Sequence, residues 1–125
     1  MKIRTGCDVE QISRFEGLLK KAYFCQRAFT DAEWEHIENS GHPEATAAGI
    51  FCAKEAMAKA LGRGLFGLLP KELGVEWDER GAPYPGLSPR RLKNQSGTIV
   101  CKQSTQSENG LYRLTANRVY FFIHF

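Results

Sequence analysis

One stretch constrains this chain more than any other. From Glu44 to Leu61 it is rich in Ala, Lys, Glu and Met, with no internal proline and a single glycine, Gly49. These residues lose little side-chain entropy in a helix, so the run is predicted to be helical throughout, about five turns long. Ala47, Ile50, Phe51, Met57, Ala58 and Leu61 are expected to form its buried stripe. Gly62 follows, the residue type that ends a helix because it enters the left-handed region without steric cost. Everything else must pack around this rod.

On its N-terminal side, residues 2–7 (KIRTGC) alternate weakly and predict a short first strand with Asp8 at its end. Ile12, Phe15, Leu19, Ala22 and Tyr23 then recur at helical spacing, with Glu10, Arg14, Gly17 and Lys21 on another face, as in one amphipathic helix. Thr30-Asp31-Ala32-Glu33 has the form of a capping box and opens a short helix through Trp34 and Ile37, which Asn39 to Pro43 ends. Beyond the long helix, Leu73 to Trp77 alternates like a half-buried strand. Asp78 to Gly81 then reads as a turn, and Ala82 to Pro85 as a return strand suited to an edge. After a basic cluster of Arg90, Arg91 and Lys93, Thr98 to Lys102 is predicted as a strand, Gln103 to Gly110 as a polar loop and Val119 to Phe125 as a final β-prone run. The sum is an α+β chain: one small domain over residues 1–125, with helices packed on a mainly antiparallel sheet.

Composition narrows the function classes. With 42% hydrophobic and 25% charged residues among 125, the chain has the make-up of a soluble globular domain, and its size would gain stability from oligomerisation. The longest strongly apolar run, Val119 to Ile123, is far short of the roughly 20 residues that span a bilayer, so no membrane partner is expected. MKIRTGCDVE carries two basic residues and no apolar segment behind them, which predicts no secretory signal and a cytoplasmic location. Cys7, Cys25, Cys52 and Cys101 are scattered, arguing against a zinc site or a disulfide framework. A net charge of +3 suits an anionic partner. Nucleic acid is not expected, because no aromatics interleave with Arg90, Arg91 and Lys93 and no recognition motif is present.

Three local patterns could carry chemistry. Asp8 at a strand-to-helix junction is either a helix cap or a functional carboxylate. Glu55 and Lys59 have the spacing of an intrahelical ion pair worth about 0.2–0.5 kcal/mol. Gly62-Arg63-Gly64-Leu65-Phe66-Gly67 matches GxGxxG by letter, but it follows a helix and not a strand, so the dinucleotide-binding context is missing.

Taken together these patterns resemble a known family. Gly6-x-Asp8 with Arg14 beyond it, and Phe51-x-x-Lys54-Glu55-Ala56-x-x-Lys59, are similar to the two signature motifs of the phosphopantetheinyl transferases, of the small single-domain holo-(acyl-carrier-protein) synthase type. Phe29-Thr30-x-x-Glu33, Lys59-Ala60-Leu61-Gly62-Arg63-Gly64 and Gly81-Ala82-Pro83-Tyr84 extend the resemblance over about residues 3–88. The resemblance implies Mg²⁺-dependent transfer of the 4'-phosphopantetheine arm of coenzyme A to a serine of acyl carrier protein, in support of fatty acid synthesis, with release of adenosine 3',5'-bisphosphate. By the same resemblance Asp8 and Glu55 hold the metal, and Glu55 and Lys59 are catalytic. Lys54, Lys59, Gly62 and Gly64 approach the nucleotide. Arg14 and Lys21, and with them Lys20 and Arg27, dock the acidic carrier, and the assembly is a homotrimer. Hard oxygen ligands suit Mg²⁺, and neutralising phosphoryl charge is the main catalytic demand.

Two departures qualify this. Ile50 stands where the family carries an Arg. Between Leu92 and Phe125 nothing matches the family's Ser-x-Ser-His strand or the strand after it. The expectation from this atypical segment, residues 89–125, is a sheet left with unpaired edges, an impaired trimer and weak transfer, the alternative being a relative that binds coenzyme A or carrier protein without efficient transfer.

Overall fold

A computed structural model describes residues 3–62, 73–87, 96–108 and 111–124, with side-chain surroundings for 4–62 and 73–86. The order is β1 (Ile3–Gln11), α1 (Ile12–Leu18), α2 (Ala22–Ala28), α3 (Asp31–Glu38), α4 (Pro43–Ala60), β2 (Leu73–Trp77), β3 (Pro83–Leu87), β4 (Ser96–Glu108) and β5 (Leu111–His124). Two antiparallel sheets result: β1-β5-β4 and the hairpin β2-β3.

The long helix is where the sequence puts it, with Pro43 at its first turn, where a missing amide hydrogen costs nothing. It is not amphipathic, however. Ala45, Ala47, Ala48, Ile50, Cys52, Ala53, Lys54, Ala56, Met57, Ala58 and Ala60 are all buried, which places burial around most of the circumference and leaves a more open strip at Phe51, Glu55 and Lys59. Its alanines let β1 and β5 pack on one side while α1, α3 and β2 pack elsewhere. Phe51 and Leu61, expected in the stripe, are only partly buried.

The expected single helix over Ile12 to Tyr23 is two short ones. Nine residues at about 100° each would set Phe15 and Phe24 on opposite faces of a continuous helix. The turn at Leu19 to Lys21 brings both into one cluster, with ring centroids 6.3 Å apart and each 5.7 Å from Phe51. Tyr23 is consequently 69% exposed, outside the core where its spacing had placed it.

The capping box at α3 is present in both halves: the Thr30 hydroxyl accepts from Glu33 N at 3.2 Å, and the Glu33 carboxylate accepts from Thr30 N at 2.9 Å. Thr30→Ala is expected to lower the unfolding free energy by about 1 kcal/mol, read as a shift of the urea midpoint at constant slope.

The C-terminal region corrects one expectation. Of the loop predicted over Gln103 to Gly110, residues Gln103 to Glu108 lie within β4, and residues 109–110 lie outside the described residues. The region also supplies the central strand of the sheet, β5, which pairs with β1 from Ile3↔His124 to Gln11↔Ala116 and with β4 on its other side, so that β1 and β4 are the outer strands among the described residues. The short apolar run at Val119 was legible as a strand, but its long-range partner was not.

Candidate functional site

Asp8 does not end its strand. Pairing with β5 carries β1 on to Gln11, so Asp8 lies mid-strand opposite Val119. Alternation then decides what faces what. Cys7 and Val9 are exposed, whereas Gly6, Asp8 and Glu10 face inward. Gly6 marks the closest approach: a Cβ there would lie 2.0 Å from the Ala56 carbonyl oxygen and 2.8 Å from Ala60 N. A glycine in β1 against alanines in α4 therefore lets strand and helix touch backbone to backbone, and residues 8 and 59 meet as a result.

Lys59 reaches across this seam. Its ammonium donates to Asp8 Oδ1 at 2.9 Å and to the Cys7 carbonyl at 3.1 Å. The anticipated intrahelical pair with Glu55 gives way to this contact, with Glu55 acting on Lys59 only at longer range. The hydrogen bond to Asp8 raises the Lys59 pKa above its ordinary value, against a smaller opposing effect of burial. Lys59 keeps half of its side-chain surface open, so the charge remains available.

Glu55 completes the group from one helical turn earlier. Burial raises its pKa, the Asp8 charge raises it further, and Lys59 counteracts. Glu10, which its sequence position had suggested for a helix face, belongs here too. It lies on β1, is 9% exposed and bonds Arg14 Nη1 at 2.9 Å through Oε2. Burial raises its pKa, Arg14 lowers it and Asp8 raises it. The signal that could have found Glu10 is the Asp8-x-Glu10 spacing, which puts both carboxylates on one strand face once the strand is known to continue.

These carboxylates fit a hard cation. Asp8 Oδ2 is buried with no hydrogen-bond partner, an arrangement that costs about 1–3 kcal/mol for a polar group and more for a charge. Neighbouring carboxylates resist ionisation together, and a positive ion between them would remove that conflict. Among the described residues no three His, Cys, Asp or Glu side chains form a ready-made cage. A cation here would take Asp8 and Glu55 and fill its remaining positions with water or substrate oxygens, as Mg²⁺ commonly does.

The other expected site residues separate. Gly62 ends α4 at φ +74°, donating its amide to the Lys59 carbonyl at 3.0 Å, while Gly64 lies outside the described residues. Arg14 is exposed except for its bond to Glu10, and Lys21 is exposed at the start of α2. Lys54 is turned away from this cluster: its side chain is 0% exposed and ion-paired with Glu33. Ile50, where an arginine was looked for, is a core residue, 4% exposed. Among the described residues no helix is long and apolar enough to cross a membrane.

Comparison with known proteins bears directly on this arrangement. The profile of the 4'-phosphopantetheinyl transferase superfamily matches residues 4–115, well beyond Ser88. A holo-(acyl-carrier-protein) synthase of Fusobacterium nucleatum is 38% identical over 88 residues, covering 70% of this chain and 72% of that protein. One from Alkaliphilus metalliredigens is 43% identical over 90 residues, covering 70% and 73%. In fold, the crystal structure of the holo-(acyl-carrier-protein) synthase of Neisseria meningitidis superposes with a TM-score of 0.76 at 24% identity, over 98% of each chain. That of Helicobacter pylori in complex with coenzyme A gives 0.69 at 23% identity, over 95% of this chain and 96% of that one. The superpositions span nearly the whole chain, so the atypical C-terminal sequence lies within the shared fold.

Proposed function

Since this chain belongs to the 4'-phosphopantetheinyl transferase superfamily, we propose that it moves the 4'-phosphopantetheine arm of coenzyme A onto a serine hydroxyl of acyl carrier protein. The observation that carries this reading is the meeting of Asp8 from β1 with Glu55 and Lys59 from α4, residues about fifty positions apart that form one charged cluster. Names of its relatives and the coenzyme A bound to a structural neighbour support the substrates.

In the reaction the serine oxygen forms a bond to the phosphorus that carries the pantetheine arm, and the bond from that phosphorus to adenosine 3',5'-bisphosphate breaks. The serine proton has Glu55 as its proposed acceptor, a carboxylate that stands beside Asp8 and Lys59 in the cluster. Lys59 offers a positive charge to the phosphoryl oxygens while Asp8 holds its ammonium in place. Mg²⁺, when bound by Asp8 and Glu55, supplies charge neutralisation for the diphosphate. Gly62, exposed at the end of α4, is proposed to approach the nucleotide through its backbone. Arg14 and Lys21 are proposed to meet the acidic carrier. The working assembly is proposed to be a homotrimer in the cytoplasm, serving fatty acid synthesis.

Incubation with coenzyme A, Mg²⁺ and apo carrier protein, followed by mass spectrometry of the carrier, tests this. Gain of one phosphopantetheine arm is the expected result. An unmodified carrier alongside measurable coenzyme A binding would instead identify an impaired relative. Lys59→Ala is expected to lower turnover about 10²-fold, in line with the loss of a charge-stabilising contact. Its stability should change by less than about 1 kcal/mol, because the pair with Asp8 is partly exposed. Unchanged turnover would assign Lys59 to the ion pair alone.

A further inference from the structure

Lys54 immediately precedes Glu55 in α4, and a rotation of about 100° per residue sends the two side chains in different directions. The Lys54 ammonium donates to the Ala28 carbonyl at 2.7 Å and pairs with Glu33 Oε2 at 2.5 Å, both side chains being 0% exposed. The same carboxylate also accepts Thr30 N at 2.9 Å and, through Oε1, Val75 N at 2.8 Å. The Phe29 ring closes the site, its centroid 5.8 Å from Nζ. One buried ion pair thus joins the end of α2, the first turn of α3, the middle of α4 and strand β2.

A buried charge is tolerated only when paired and hydrogen-bonded, and such a pair contributes little stability beyond what apolar residues of similar volume would give. It does contribute direction, since its partners must be met at set distances and angles. The Lys54 side chain has no exposed surface at which a phosphate could meet it. We propose that Lys54 is a positioning residue: through Glu33 it fixes the rotation of α4 about its axis and so aims Glu55 and Lys59 at Asp8, without touching the nucleotide. This assignment rests on the transferase reading for its kinetic consequences.

The test is a double-mutant cycle of Lys54→Met and Glu33→Gln, with transfer rates expressed per folded molecule from circular dichroism and coenzyme A affinity measured by calorimetry. Lys54→Met is expected to lower kcat about tenfold, as small misplacements in a reacting site do, while coenzyme A affinity stays within about twofold. Glu33→Gln alone, at a fully buried side chain, should reproduce the loss in kcat. In the Glu33→Gln background the further cost of Lys54→Met should shrink below about threefold, because the coupling is already broken. A loss of coenzyme A affinity in Lys54→Met would overturn the proposal in favour of a nucleotide contact. So would equal costs in both backgrounds, or an unchanged kcat in either single variant. Should the unaltered chain transfer nothing, the function reading fails by itself. The calorimetry then still separates a buried positioning lysine, whose loss leaves affinity intact, from a ligand contact, whose loss weakens it.

Discussion

Gly6→Ala is expected to destabilise the protein by about 3 kcal/mol or more, at or above the upper end of ordinary overpacking. The added methyl would meet the Ala56 carbonyl oxygen at 2.0 Å and Ala60 N at 2.8 Å. Both are backbone atoms of a buried helix and cannot rotate away as a side chain can. Relief requires β1 to retreat from α4, and β1 is tied along its length to the central strand β5, with Gly6 opposite Phe121. The retreat would also pull Asp8 from Lys59, so turnover should fall even among molecules that remain folded. Urea unfolding followed by circular dichroism measures the effect. Gly17→Ala is the control, because a Cβ at that helical position meets nothing within 4 Å. It should be neutral or stabilise by up to about 1 kcal/mol. If Gly6→Ala unfolds at the same urea concentration as the parent, the close strand-helix seam is not what this glycine serves.

Asp8→Asn is expected to act in the opposite sense on stability while removing transfer. The substitution keeps the shape of the side chain and takes away the charge that would bind the metal and hold Lys59. Turnover should drop about 10³-fold, the scale on which a single electrostatic contributor to a transition state is felt. Stability should hold or rise. The oxygen Oδ2 is buried without a partner, and Asp8 raises the pKa values of both Glu55 and Glu10 by like-charge repulsion, so the native state carries a conflict at this residue. Loss of the partly exposed pair with Lys59 offsets this by no more than about 1 kcal/mol. Single-turnover transfer at limiting Mg²⁺, set beside urea midpoints, distinguishes the outcomes. Near-parent turnover would remove Asp8 from the metal site, and a large loss of stability would show it to be a structural residue. A group that weakens the fold and is needed for the reaction is a known signature of active sites.

Much of this was legible in the chain because it is local. The capping box at Thr30 and Glu33, the helix after Pro43, the stop at Gly62 and the turn at Gly81, with φ +78°, follow from side-chain chemistry within a few residues. The roles expected of Asp8, Glu55 and Lys59 came from motif resemblance, and the residues do stand together, although spacing alone would have paired Lys59 with Glu55. What the sequence left open depends on partners far along the chain. Whether Asp8 ends a strand or lies within one is decided by β5, more than a hundred residues away, and with it the inward direction of Glu10. The break between α1 and α2 is set by the need to place Phe15 and Phe24 against the same neighbour, Phe51. Lys54 reads as one more cation in a helical motif until Glu33 and the Ala28 carbonyl are seen to converge on it. Propensity and capping are short-range energies written residue by residue. The direction of a buried charge and the register of a strand are set by contacts between distant segments, and those exist only once the chain has folded.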